Sequence, residues 1–162
     1  MRILFLDIDG CVNSVPRIPG HDTDTKLWDR IITICKQTGC NIVISSSWGL
    51  NSVIEEIGKE ASDPEFLKEI ILGHTPLVNL GHMGKHITLD EIENNPNVWD
   101  FVVVKERMAE ILLWIQTHEP VDNWIAVDDL PLEFPSNHFV KTDHDMGITD
   151  ALVDEAIVKL MG

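Results

Sequence analysis

Basic residues are scarce in this chain. Twelve Lys and Arg stand against 27 Asp and Glu among 162 residues, for a formal charge of −15. Non-specific tracking of nucleic acid needs a basic stripe that displaces counterions from phosphates, so the deficit argues against that role. It leaves a phosphorylated substrate open, because a bound divalent cation can invert the sign of a local field. Cysteine is nearly lacking as well. Cys11, Cys35 and Cys40 are odd in number and show no CxxC spacing, so reduced thiols are expected rather than a disulfide framework or a zinc site. No apolar run approaches the roughly 18 residues that span a bilayer, and the basic region that opens a signal peptide is missing. The expectation is a soluble, cytoplasmic protein with no membrane partner. With 44% hydrophobic residues, a chain of this length is expected to form one domain that buries about 68–70% of its unfolded surface.

What is present is a series of short apolar runs that alternate with helical patterns. Arg2 to Leu6 reads as a strand buried on both faces, and residues 41–45 and 123–127 read likewise. After an irregular stretch with Pro16, Pro19 and Gly20, residues Leu27, Trp28, Ile31, Ile32, Ile34 and Cys35 recur with helical period. Asp24 or Thr25 is the expected cap of that helix, and Gly39 its end. A helix is expected over 51–58. Asp63-Pro64 opens another through Leu72, since Pro suits a first helical turn. Met108, Ile111, Leu112 and Ile115 line one face of a helix beginning near Lys105. A last short strand is expected over 138–141, and Thr149 caps a closing helix. Residues 73–98, with Pro76 and Pro96, carry no clear period and hold one short helix at most. Strands alternating with helices predict an α/β fold around a parallel sheet. Ligands of such sheets collect outside the carboxyl ends of the strands.

Three of these strands end in polar clusters: Asp7-Ile8-Asp9, Ser45-Ser46-Ser47 and Asp128-Asp129. In a parallel sheet all three converge on one edge. Side chains at i and i+2 of an extended segment share a face, so Asp7 and Asp9 are expected in one site. Gly10 then lets the chain turn away without crowding a ligand. Carboxylates packed together resist ionising unless a cation intervenes. Oxygen-only ligation suits Mg²⁺, which takes one or two carboxylates, waters and a substrate phosphate. One carboxylate can attack phosphorus, and a second can protonate the leaving oxygen and then deprotonate water. Hydroxyls and a cationic side chain hold the remaining phosphoryl oxygens.

The ordered set FLDIDG, IVISSSW, a Lys or Arg, and IAVDD resembles the phosphatases of the haloacid dehalogenase (HAD) superfamily. More narrowly, the chain is similar to the HAD domain of Swiss-army-knife RNA repair proteins. The matching residues are LDIDGCVN, SSSW, Arg107-x-x-Glu110-Ile111-x-x-Trp114-Ile115, VDD, and Thr142-Asp143 with Gly147-Ile148-Thr149. The resemblance implies a Rossmann-like three-layer sandwich with a central parallel sheet and a small cap or none. Residues 73–98 would then be a small local insert, and the site rather open. It implies Asp7 as nucleophile and metal ligand, and Asp9 as general acid/base with its backbone carbonyl on Mg²⁺. Ser45 or Ser46 would bind phosphate, with Arg107 the first choice of cation and Lys105 and Lys85 behind it. Asp128 and Asp129 would complete the metal site, directly or through water. Gly49 departs from the narrower pattern, where Arg often stands, and 73–98 have no counterpart in it.

Each cluster also has a plainer reading. The serines taken alone are a strand-to-loop transition, Arg107 can pair with Glu106 or with Glu110 at i+3, and Trp114 and Ile115 are most simply core. His74, His82 and His86 suggest zinc, yet Gly81 and Gly84 make a poor helix there, and surface histidines are expected. GHMGK lacks the spacing of a phosphate-binding loop. Asp143-His144-Asp145 reads as an acidic turn within reach of metal or substrate. It is the ordered set that points to a Mg²⁺-dependent phosphomonoester hydrolase with an aspartyl-phosphate on Asp7. Its substrate would be a nucleotide, a nucleic-acid end or a small phosphoester. The alternatives are a catalytically idle domain that binds a protein partner, and a phosphotransferase.

Overall fold

Residues 3–6 are fully buried, as a run without polar alternation requires when both faces of a sheet are covered. The computed structural model describes residues 1–13, 22–79 and 96–162. Its strands are β1 (Arg2–Leu6), β2 (Asn41–Ile44), β3 (Ile71–His74), β4 (Asn123–Asp128) and β5 (Phe139–Lys141). They form one sheet in the order β3-β2-β1-β4-β5, and all four pairings are parallel. The helices are α1 (Asp24–Thr38), α2 (Leu50–Glu60), α3 (Pro64–Ile70), α4 (Pro96–Thr117) and α5 (Asp150–Met161).

Alternation along the strands sorts the core into two halves. Leu4, Leu6, Ile42, Ile44, Ile125 and Val127 pack with Leu27 and Ile31 of α1, Val53 and Ile57 of α2, Leu67 of α3 and Leu160 of α5. Ile3, Phe5, Val43 and Ala126 face the other way, onto Val104, Ile111 and Trp114 of α4. The result is the expected three-layer α/β sandwich. The chain builds from β1 outward to β2 and β3, then crosses to the far side for β4 and β5. The reversal falls between β1 and β4, and ligands of doubly wound sheets bind at the carboxyl ends of the strands flanking it.

Several expectations shift. Thr23 caps α1, its hydroxyl accepting from the Lys26 amide, where Asp24 or Thr25 was expected; Gly39 ends it as read. Helix α3 stops at Ile70, and Ile71 to His74 form an edge strand. Leu67, Ile70 and Ile71 mimic a helical stripe, and a four-residue strand is too short to show its own period. Helix α4 starts at Pro96, well before Lys105. Its Phe101-Val102-Val103-Val104 run is apolar and largely β-branched, which hides a helix from a propensity reading. On its far side Leu112 is 44% exposed, outside the stripe assigned to it. Thr149 caps α5 as expected, accepting from the Leu152 amide. The expected insert at 73–98 begins within β3 and ends within α4, and residues 80–95 between them lie outside the described residues. Cys11, Cys35 and Cys40 are free and buried.

Candidate active site

The register of the sheet decides which polar residues meet. The Asp7 amide donates to the Val127 carbonyl at 3.0 Å, and the Ser45 amide to the Leu6 carbonyl at 2.9 Å. Asp7, Ser45 and Asp128 are therefore neighbours at the strand ends. Since Leu6, Ile44 and Val127 point into the α1-side core, the next residue of each strand emerges on the α4 side. Arg107 lies three residues after Val104 and four before Ile111, so it shares the stripe that packs on that face. Trp114 meets Phe5 edge-on at 5.6 Å between ring centres. Seven residues back along the helix is about 10 Å, and two residues forward along β1 is about 7 Å. The long arginine side chain closes the difference. Its Nη1 donates to Asp128 Oδ2 at 2.7 Å and stands 3.3 Å from Asp7 Oδ1.

Asp7, Asp128 and Asp129 each offer an oxygen within 4.8 Å of the others. The Asp7 and Asp128 side chains are 7% and 2% exposed, so their charges are held almost without water. Burial, then the charge of Asp128, pushes the Asp7 carboxyl up to about 9 against the pull of Arg107. Burial likewise raises Asp128 to about 6, although Arg107 and the Leu130 amide favour its ionised form. Burial works against the charge on Arg107, but Asp128 and Asp7 outweigh it and its pKa rises. Three carboxyls face one guanidinium, which leaves negative charge uncompensated, and every donor is an oxygen. That set fits a hard divalent cation.

Asp129 is fixed from the opposite side. Its Oδ2 takes the His144 Nδ1 at 2.6 Å. Gly10 turns beneath that pair at φ +75°, and a Cβ there would lie 2.5 Å from Asp129 Oδ2 and 2.9 Å from His144 Nδ1. The late loop that carries His144 is pinned to the loop after β1. Thr142 Oγ1 donates to the Gly10 carbonyl at 2.8 Å, and the Ile148 amide to the Cys11 carbonyl at 2.9 Å. Gly147, at φ +69°, leaves room for that carbonyl, which a Cβ would approach to 2.8 Å. Asp143 accepts from the Asp145 amide, an acidic turn as read, and the reach toward the site comes from His144.

Asp9 is placed differently from the i, i+2 expectation. The chain leaves β1 and coils at once, with the Cys11 and Val12 amides both donating to the Ile8 carbonyl at 3.1 Å. The Asp9 carboxylate stands outside the three-acid cluster, and its Oδ2 accepts from the indole Nε1 of Trp48 at 3.1 Å. Of the two serines left open, Ser45 has its Oγ buried with no partner among the described residues, whereas Ser46 Oγ accepts from the Trp48 amide at 3.1 Å. An orphaned hydroxyl beside Asp7 is ready for a ligand oxygen. Beyond Arg107, a cleft of about 230 Å³ opens between Ser46, Ser47, Leu77 and Val78 on one side and Val103, Glu106 and Glu110 on the other.

Among the other candidates, Lys105 turns away from the cluster and pairs with Glu133. Lys85, His82 and His86, and the 16–20 stretch, lie outside the described residues. His74 turns both ring nitrogens toward backbone carbonyls. Trp48 and His74 make contacts that motif reading did not assign, and His144 reaches the cluster through Asp129. Trp48 had one usable signal, a large aromatic placed directly after a serine cluster at a strand end.

The buried carboxylates of this doubly wound α/β protein lie at the carboxyl ends of the strands flanking its switch point, where ligands of such sheets bind. Residues 3–153 match the family described as the HAD domain in Swiss Army Knife RNA repair proteins, and the chain belongs to that family. No curated protein and no solved structure matches it. Membership supports a HAD-type, phosphatase-like function, and the buried acids can hold a metal ion. No helix among the described residues is long and apolar enough to cross a membrane.

Proposed function

We propose that the protein is a Mg²⁺-dependent phosphomonoester hydrolase that works through an aspartyl-phosphate on Asp7. The observation that carries this reading is the meeting of Asp7, Asp128, Asp129 and Arg107, drawn from three separate segments, at one end of the sheet. Asp7, Asp128 and Asp129, with the Asp9 carbonyl, would hold Mg²⁺, which supplies positive charge that lets Asp7 react as an anion and draws electron density from a phosphoryl oxygen.

The chain's own groups then divide the work. An oxygen of Asp7 attacks phosphorus, the bond to the leaving oxygen breaks, and the proton on Asp9 passes to that oxygen. Asp9, now a carboxylate, takes a proton from water as the water oxygen attacks the aspartyl-phosphate. Inorganic phosphate leaves and both carboxyls return to their starting forms. The Ser45 hydroxyl and the Arg107 guanidinium hold the equatorial oxygens, where transition-state charge concentrates. Asp9 stands apart from the crowded cluster and is only partly buried, so its carboxyl is open to a leaving oxygen.

The family description includes RNA repair, which favours a nucleotide or a phosphorylated nucleic-acid end as substrate. The charge of −15 weakens the polynucleotide version and leaves a nucleotide or a small phosphoester open. The deciding experiment is turnover of p-nitrophenyl phosphate, a nucleotide panel, and 3′- or 5′-phosphorylated oligonucleotides. Wild type and Asp7→Asn are compared with and without Mg²⁺. Release of phosphate that needs both Asp7 and Mg²⁺ is expected. Its failure on every substrate would mark a binding module, and alcohols competing with water as acceptor would mark a phosphotransferase.

A further inference from the structure

We infer that Trp48 is a positioning residue for Asp9, and that His74 is the anchor that holds Trp48. The inference rests on the proposed role of Asp9 as proton donor to the leaving oxygen. Asp9 sits in a coil where the neighbouring backbone hydrogen bonds run to Ile8 and Asn13, so the direction of its carboxyl is left to side-chain contacts. The indole of Trp48 supplies one at 3.1 Å. An indole N–H is a donor only. It fixes Oδ2 as the accepting oxygen and leaves Oδ1 to carry the proton that is transferred.

A positioning group must itself be held. The Trp48 amide donates to Ser46 Oγ at 3.1 Å. Its carbonyl lies 3.0 Å from His74 Nε2, and the same nitrogen lies 2.8 Å from the Ser46 carbonyl. The other ring nitrogen, Nδ1, lies 2.7 Å from the Thr75 carbonyl. The imidazole at the end of β3 therefore clamps the loop that follows β2, and the loop aims the indole at Asp9. This layered support is what holds a reacting group within a fraction of an ångström of a productive geometry.

The prediction concerns which substrates suffer. Trp48→Phe keeps an aromatic ring and removes the N–H. A good leaving group such as p-nitrophenolate departs without much help, whereas an alkoxide needs its proton. General acid catalysis is worth about 10²–10⁴-fold, so partial loss of aim is expected to lower kcat/KM for alkyl phosphates about 10–100-fold. This ratio ends at departure of the leaving group and leaves out the water step that Asp9 also serves, so the expected change in kcat/KM for p-nitrophenyl phosphate is under about 3-fold. In an Asp9→Asn background the Trp48 substitution is expected to add nothing.

An equal loss of kcat/KM for all leaving groups in folded Trp48→Phe protein would overturn the inference, as would full additivity with Asp9→Asn. Should Trp48→Phe fail to fold, His74→Leu and His74→Gln give the second reading. Leu is expected to reproduce the leaving-group-dependent loss of kcat/KM, and Gln, which keeps a donor toward the Ser46 and Trp48 carbonyls, to relieve it. A loss of kcat/KM in His74→Leu that ignores the leaving group, or that Gln does not relieve, would overturn it too. Absence of Asp7-dependent turnover in wild type would instead bring down the hydrolase proposal itself.

Discussion

Replacing Asp7 by Asn is expected to stabilise the metal-free protein while removing its activity. The Asp7 carboxyl is pushed up to about 9 from 3.8, so in the folded state it stays protonated over a range in which the unfolded chain releases the proton. Stability contributed by this group is therefore lost as pH rises from about 4, and the loss levels off above about 9. At pH 7 the gap from 3.8 is about 3 units, which at about 1.4 kcal/mol per unit is a penalty of roughly 4 kcal/mol. Asn carries no charge and can donate to Asp129, and Arg107 keeps its partner Asp128 at 2.7 Å. A gain of about 2–4 kcal/mol follows, near 10 °C in melting temperature for a domain of this size. The assay is a thermal melt in EDTA of both proteins between pH 5 and pH 8. The advantage of Asp7→Asn should widen with pH by about 4 kcal/mol. Adding Mg²⁺ should narrow the gap, since a ligand at 100 times its Kd stabilises the competent wild type by about 2.7 kcal/mol. An Asn variant that melts at or below wild type at pH 8 in EDTA would refute the reasoning, as would a gap that does not grow with pH.

Ser45→Ala deletes a buried hydroxyl that has no partner among the described residues, so stability in urea melts should hold or rise by about 1 kcal/mol while phosphatase turnover falls at least about tenfold. A loss of stability above about 1 kcal/mol would show that the hydroxyl is already satisfied. Gly10→Ala combines positive φ with a Cβ 2.5 Å from Asp129 Oδ2. It should cost about 1–3 kcal/mol in the same melts and weaken Mg²⁺ in a titration, because the Asp129–His144 pair must move.

The parts of the fold that a linear reading recovers are those whose burial is written in consecutive residues. β1, β2 and β4 are continuous apolar runs enclosed between layers, and α1 repeats its apolar positions through three turns. β3 fails that test. It is four residues long, contains Gly73, and follows α3 without a connecting loop, so its pairing with β2 comes from the sheet and not from its own pattern. The first turns of α4 fail for another reason. Phe101 to Val104 are apolar without a break, and Phe101 remains 58% exposed, so no single face stands out as a stripe until Val104.

The same distinction governs the site. Asp7 and Asp128 were legible, and Ser45 as one of two serines, because the side on which a residue at or directly after a strand's end emerges follows from parity alone. Once the strands pair in register, these three must emerge together on the α4 side. Arg107 was legible only as one of three basic candidates, because choosing among them requires the stagger between α4 and β1 that Trp114 and Phe5 fix. Asp9 and Asp129 fall past the ends of their strands, where alternation no longer applies and a tight coil sets direction instead. There the aim of a carboxylate depends on partners remote in the chain: Trp48, 39 residues away, for the first, and His144, 15 away, for the second. The proton transfer proposed for Asp9 is thus the step most dependent on tertiary structure, and the one that a motif match alone leaves undetermined.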